Sequence, residues 1–256
     1  MRRLLMIATL ISLQAFAQNA PSVDEIVVKN INARGGMVKI TAIKTLRATY
    51  VSEEDGKPVR LVELHKRPDK LRRNISTGGN TIVFAYDGTT AWQFFSSQKK
   101  GASPAPPDLA MELKEEADLD GPLVNYKKKG ISLELVGKEK LNERDVYNLK
   151  MTLKEGQIRN IYLDARTFFE VKETGSFQEH GKKIGFVTLF KNYRPVQGVL
   201  FPYIVEQTTG DEEAQITRLQ KLEVNVPIAD SVFTMRSPAA DGHPLAPVPR
   251  AHASAR

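Results

Sequence analysis

Hydrophobic positions in this chain recur at two spacings. Near the amino terminus Val23, Ile26, Val27 and Ile31 form one stripe, Ser22 stands three residues before Glu25 in capping-box order, and Gly35-Gly36 ends the run. That spacing predicts an amphipathic helix. Met37, Ile40 and Ile43 repeat the pattern briefly before a strand near Leu46 to Val51, and Pro106-Pro107-Asp108 opens a third helical stretch through Leu109, Leu113 and Ala117, ending near Gly121-Pro122. Elsewhere the period is two. Tyr147, Leu149, Met151 and Leu153 alternate with Asn148, Lys150, Thr152 and Lys154, which puts one face inward and the other in water.

Comparable runs fall at Val59–Lys66, Leu71–Thr77, Thr81–Tyr86, Thr89–Phe95, Ile131–Val136, Ile158–Leu163, Phe169–Gly175, Ile184–Asn192, Val199–Thr208 and Ala214–Val224. Asp87-Gly88 and Glu155-Gly156 sit where tight hairpin turns need positive φ. Parallel neighbours would each need a crossover helix, so about eleven strands with three helical pieces exclude an α/β crossover fold. The expectation is a mainly β chain: a meander curled into a half-barrel of about eleven antiparallel strands, lidded by short α-helices over an apolar hollow.

Both ends fall outside that pattern. Met1-Arg2-Arg3, the apolar run Leu4 to Leu13 and Ala15-Phe16-Ala17 read as a signal peptide over residues 1–17, so the protein is expected in the periplasm. Residues 237–256, rich in proline and alanine, read as a flexible tail, and residues 18–236 as one domain. The absence of cysteine removes a disulfide scaffold, a thiolate metal site and a cysteine nucleophile.

The remaining inventory carries little catalytic chemistry. There is no GxSxG elbow, HExxH helix or glycine-rich phosphate loop, and His65, His180, His243 and His252 share no ligand spacing. The expectation is a non-enzyme with no cofactor and no metal. His65 reads as a surface or edge histidine, and Glu112, Glu115, Glu116, Asp118 and Asp120 as the solvated side of a helix. The formal charge is +7, but Lys127-Lys128-Lys129 and the Lys66-Arg67, Lys70, Arg72, Arg73 group lack interleaved aromatics. Nucleic acid is not expected; transient contact with an anionic membrane surface suits the charge better.

Two stretches carry a family resemblance. His65-Lys66-Arg67-Pro68-Asp69-Lys70-Leu71-Arg72, followed by Tyr86-Asp87-Gly88-Thr89-Thr90-Ala91-Trp92-Gln93-Phe94, resembles the Lys-Arg-Pro and Asp-Gly-x-x-x-Trp pattern of the periplasmic outer-membrane lipoprotein-sorting carriers, the LolA/LolB-like superfamily. Phe190 to Arg194, Gly198 to Pro202, Leu222 to Asn225 and Phe233 resemble its carboxy-terminal half. The resemblance implies a lidded half-barrel that carries acyl chains of lipoproteins, or a related lipid, toward the outer membrane. It also implies an inner-membrane ABC-type release complex and an outer-membrane acceptor as partners.

On that resemblance Arg67 is the lid latch. Leu71, Ile75, Trp92 and Phe94 are expected on the concave, ligand-binding face, joined by Leu149 and Met151 from the alternating strand. Ile26, Ile31, Ile40, Leu109 and Leu113 are expected on the lid helices. Arg73 departs from the pattern, standing between Leu71 and Ile75 where the carriers favour a large apolar residue. An envelope-stress or lipid-sensing module of the same fold is the alternative.

Overall fold

The structure, a computed structural model, describes residues 21–179 and 182–235. The expected signal peptide, tail and His180 lie outside them. Helices α1 (Val23–Ala33) and α2 (Met37–Ala42) lead into strands β1 (Thr45–Glu54), β2 (Lys57–Lys66), β3 (Lys70–Thr77), β4 (Asn80–Tyr86), β5 (Ala91–Phe95) and the short β6 (Ser103–Pro104). Helix α3 (Pro107–Glu116) follows, and then β7 (Ser132–Leu141), β8 (Arg144–Thr152), β9 (Ile158–Asp164), β10 (Glu170–Glu179), β11 (Lys182–Val196), β12 (Val199–Thr209) and β13 (Gln215–Val224).

All thirteen strands belong to one antiparallel sheet in the order β6-β5-β4-β3-β2-β1-β13-β12-β11-β10-β9-β8-β7. The single meander expected from the sequence is therefore corrected. Two meanders meet where β1 pairs β13, with Leu46 opposite Val224, and the segment containing α3 carries the chain from one sheet edge to the other. Strand signals in sequence give neighbours along the chain; they do not encode which distant pair closes the gap.

The sheet is curled. Seven strand steps separate β3 from β9, roughly 34 Å in a flat sheet. Yet adjacent residues of α3 contact both strands: Glu116 reaches Arg73 on β3 at 2.5 Å and Glu115 reaches Arg159 on β9 at 2.9 Å. Only a sheet bent around the helix permits this.

Helix α1 begins as its sequence requires. The Ser22 hydroxyl accepts from the Glu25 backbone N–H while the Glu25 carboxylate accepts from the Ser22 N–H. Its stripe of Ile26, Val27 and Ile31 packs with Ile40 of α2, Ile43, Leu46, Ala48, Leu149, Met151, Ile161, Leu163 and Val199. Each such side chain, fully buried, contributes about 1.5–3 kcal/mol. The turn between α1 and α2 fits tightly: Gly35 has φ +126°, a Cβ there would overlap the Gly198 carbonyl, and the Leu200 N–H donates to Arg34 O at 2.9 Å. Only glycine satisfies both demands.

The opposite face of the sheet carries its own apolar layer, covered by the chain after β13. Phe233 is fully buried against Leu64 and Ile228, and the Trp92 indole Nε1 donates to Phe233 O at 2.7 Å. Lys66 and Lys70 reach Asp230 at 2.9 and 3.1 Å, and Arg72 Nη1 donates to Val232 O at 2.7 Å.

Candidate functional site

The candidate site is the helix-bearing face of the curled sheet, across which Arg67 joins α2 to the turn after α3. Arg67 follows β2, so its side chain starts from a rigid strand end. Its Nε donates to Ile43 O at 2.6 Å, Nη2 donates to Ile40 O at 3.2 Å, and Nη1 donates to Asp120 Oδ2 at 2.9 Å, with a second contact from Nη2 to Asp120 Oδ1. One guanidinium thus clasps the carboxy-terminal end of α2 and the turn after α3. Cations suit a helix carboxy terminus, where the last carbonyls lack intrahelical donors. Burial pushes the Asp120 carboxyl up, but the Arg67 hydrogen bond and charge outweigh it and hold the group below its ordinary range. Arg34 Nη1 adds a bond to Asp120 O at 3.3 Å, and Lys129 joins Asp118 to the Gly121 carbonyl.

The residues expected on the lid helices fall in two buried clusters. Ile26, Ile31 and Ile40 are buried in the cluster under α1 and α2. Leu113 is fully buried in a second cluster under α3 with Leu71, Tyr86, Ala91 and Ala117, against which Leu109 packs half-buried. Leu149 and Met151 are fully buried beneath α1, and Ile75 is half-buried on the same face as Leu71. A ligand reaches Leu71, Leu149 or Met151 only if the helices above them move.

Trp92 and Phe94 require a correction. Trp92 pairs with Ala85 while its neighbour Ala91 pairs with Tyr86, so alternation sends Tyr86 and Ala91 to the helix face and Trp92 to the other. Trp92 is accordingly buried with Val83 and Ala85, with Phe94 packed against them, under the segment ending at Phe233. They stabilise the outer layer and do not line the concave face.

The hollow is also less apolar than expected. Between the two clusters runs a band of charge. Arg73 on β3 donates through Nε to Glu63 of β2 at 2.9 Å and contacts Glu116 of α3 through Nη1. Arg159 on β9 contacts Glu173 of β10 at 3.2 Å and Glu115 of α3 at 2.9 Å. These side chains are deep but not sealed, retaining 13% exposure at Glu63, 23% at Arg73 and 33% at Glu116. The solvated-helix reading of Glu115 and Glu116 therefore gives way to ion pairs, and that of Asp120 to the Arg67 clasp. His65, expected at an edge, is buried at 9% exposure with Nε2 3.7 Å from Glu63.

Burial and neighbouring charge sort the carboxyls of this band. Glu63 is pushed up by burial but is carried well below its usual range by Arg73, with His65 nearby adding to the effect. Glu115 goes the other way: burial first, then Glu173, Glu116 and Glu112, outweigh Arg159 and raise it to about 7. Burial likewise raises Glu116 and Glu173, and takes Glu170 up to about 8. The band holds more carboxylates than guanidiniums.

A separate depression of about 780 Å³ lies by the β9–β10 turn, lined by Lys138, Arg144, Asp145, Asp164, Arg166 and Phe169 among others. Its lining mixes charges of both signs with Val171, Phe190 and Tyr193. We assign no acyl chain to it.

No family model matches the sequence, and no curated protein matches it. Solved structures do match. The fold is similar to that of a LolA superfamily protein from Nitrosomonas europaea, at 15% identity and TM-score 0.56, covering 84% of this chain and 98% of that one. It is similar to a DUF1329 family protein from Desulfovibrio piger, at 12% identity and TM-score 0.56, covering 83% and 97%. A candidate outer membrane lipoprotein-sorting protein domain from Vibrio parahaemolyticus matches at 14% identity and TM-score 0.53, covering 82% and 94%. The described residues have the LolA-like fold, an open antiparallel sheet with three short α-helices.

Proposed function

We propose that the protein is a periplasmic, non-enzymatic carrier that shelters the acyl chains of lipoproteins, or of a related amphiphile, on the helix-bearing face of its curled sheet. The observation that carries this reading is the Arg67 clasp over apolar clusters. A single side chain ties α2 to the turn after α3, above Leu71, Leu113, Leu149 and Met151. A lid fastened by a few side-chain contacts, with Arg67 the one that joins α2 to the turn after α3, can open without dismantling the sheet beneath it.

The energetics permit exchange without a nucleotide. Lifting Leu113, Ile26 or Ile31 from its cluster costs about 1.5–3 kcal/mol each. An acyl chain burying a dozen methylenes gains roughly 10 kcal/mol gross at ~0.8 kcal/mol per methylene. The chain replaces the helix side chains as the apolar partner, and the charged band beside the clusters faces the amphiphile's polar end. Loading and release then follow from differences in affinity among donor membrane, carrier and acceptor. Among the described residues no helix is long and apolar enough to cross a membrane.

The test is transfer of a fluorescent, amino-terminally acylated peptide from phosphatidylethanolamine/phosphatidylglycerol vesicles to acceptor vesicles. The protein is expected to accelerate transfer in proportion to its concentration, and Arg67→Leu to alter the release step. Transfer no faster than in buffer rejects the carrier reading, and loading without release points to a sensing module.

A further inference from the structure

Two consecutive residues of α3 hold opposite halves of the sheet. Glu116 contacts Arg73 on β3 at 2.5 Å, and Glu115 contacts Arg159 on β9 at 2.9 Å. These strands belong to different meanders, joined within the sheet only through the β1–β13 pairing. Each arginine already has a carboxylate on its own wall, Glu63 for Arg73 at 2.9 Å and Glu173 for Arg159 at 3.2 Å. The carboxylates of α3 are therefore second partners on guanidiniums that stay paired when the helix leaves. Such a contact is cheap to break.

We propose that α3 is a strap across the mouth of the half-barrel, seated on a band with more carboxylates than guanidiniums, and that proton uptake by that band, which relieves the crowded carboxylates, tightens the strap while proton loss loosens it. This deepens the carrier reading by adding control of the same lid, and its test needs no lipid.

The direction follows from the groups that face one another. Glu115 meets Arg159 from β9, Glu173 from β10, and Glu112 and Glu116 from its own helix. Glu116 meets Arg73 from β3, Glu63 from β2 and Glu112. The charge of Glu173 repels Glu170, which Arg34 of the α1–α2 turn attracts, and His65 stands beside Glu63. With α3 in place these acids crowd poorly hydrated space. With α3 lifted, Glu112, Glu115 and Glu116 return to water. A carboxyl that titrates near 7 when closed and at the ordinary glutamate value of about 4.5 when free binds its proton more tightly in the closed form. Lowering the pH through 7 therefore favours closure, and raising it favours release. The Asp120 clasp has the opposite sign and stays ionised throughout this range, so it does not mask the effect.

The experiment is a spin-label distance measurement on the lipid-free full chain, which has no native cysteine. Lys114→Cys on the exposed side of α3 and Arg60→Cys on β2 carry the labels. The long-distance population is expected to rise about tenfold or more between pH 6 and pH 9. Glu115→Gln/Glu116→Gln, which fixes the uncharged form, is expected to remain closed at both. Should that double variant fail to fold, Glu112→Gln, which removes one repelling charge from an exposed position, is expected to shrink the rise. A distance distribution unchanged from pH 6 to pH 9, or opening on acidification, overturns the strap. Because no lipid is present, either result leaves the carrier reading standing or falling on its own test.

Discussion

Replacing Arg67 with leucine removes two hydrogen bonds to the Ile40 and Ile43 carbonyls and the paired contact to Asp120. Arg67 and Asp120 expose 20% and 12% of their side chains, so the pair is only partly screened. Breaking a buried pair by removing one member costs about 3–5 kcal/mol, and partial exposure favours the lower end, about 3 kcal/mol. That corresponds to roughly a hundredfold rise in the lid-open population. Ala48, fully buried in the cluster with Ile26, Ile31 and Ile40, offers a probe because the chain lacks cysteine. In an Ala48→Cys background, reaction with a thiol reagent proceeds only through open molecules, so its rate follows their population. Arg67→Leu is expected to raise that rate about a hundredfold. Asp120→Asn, which keeps an acceptor but loses the charge, is expected to fall between. A rate within threefold of the parent would refute the clasp, whatever happens to global stability.

Further expectations concern the two faces and the band. Trp92→Phe loses the indole bond to Phe233 O and is expected to lower stability by about 1–2 kcal/mol in urea unfolding, with acyl-probe affinity unchanged because Trp92 faces away from the helices. Arg73→Leu alone leaves Glu63 and Glu116 unpaired and is expected to destabilise by about 3 kcal/mol, whereas Arg73→Leu/Glu63→Leu/Glu116→Gln recovers much of the loss and binds an apolar probe more tightly, read by calorimetry. Gly35→Ala forces a Cβ into the Gly198 carbonyl at positive φ and is expected to lower the thermal midpoint by several degrees, about 2–4 °C per kcal/mol for a domain of this size. Global stability is expected to fall from pH 6 to pH 9, because Glu115 at about 7 and Glu170 at about 8 hold protons in the folded state that the unfolded chain has released.

The legible parts of the sequence were those written in local chemistry. Ser22 and Glu25 marked the start of α1, and period-two alternation marked Leu149 and Met151 as inward. What local pattern did not carry was the identity of each sheet face. Trp92 and Phe94 are as apolar as Leu71, but a sheet covered on both sides gives apolar residues to both parities, and only the placement of Phe233 shows which layer they serve. The charged band was illegible for a related reason. Glu115 and Glu116 find Arg159 and Arg73 forty or more residues away, and a carboxylate on a helix looks solvated until the partner is placed against it. Arg73 interrupting an apolar run between Leu71 and Ile75 was the one available signal, since a charge on a buried face needs a partner.

The most direct measurement is methyl NMR of the protein with a stearate bearing a nitroxide on its chain. Binding under the lid is expected to broaden the methyls of Leu71, Ile75, Leu149 and Met151 while sparing Val83 and Ile228 on the opposite layer. Broadening confined to Val83 and Ile228, or none at saturating probe, would contradict an acyl site on the helix-bearing face.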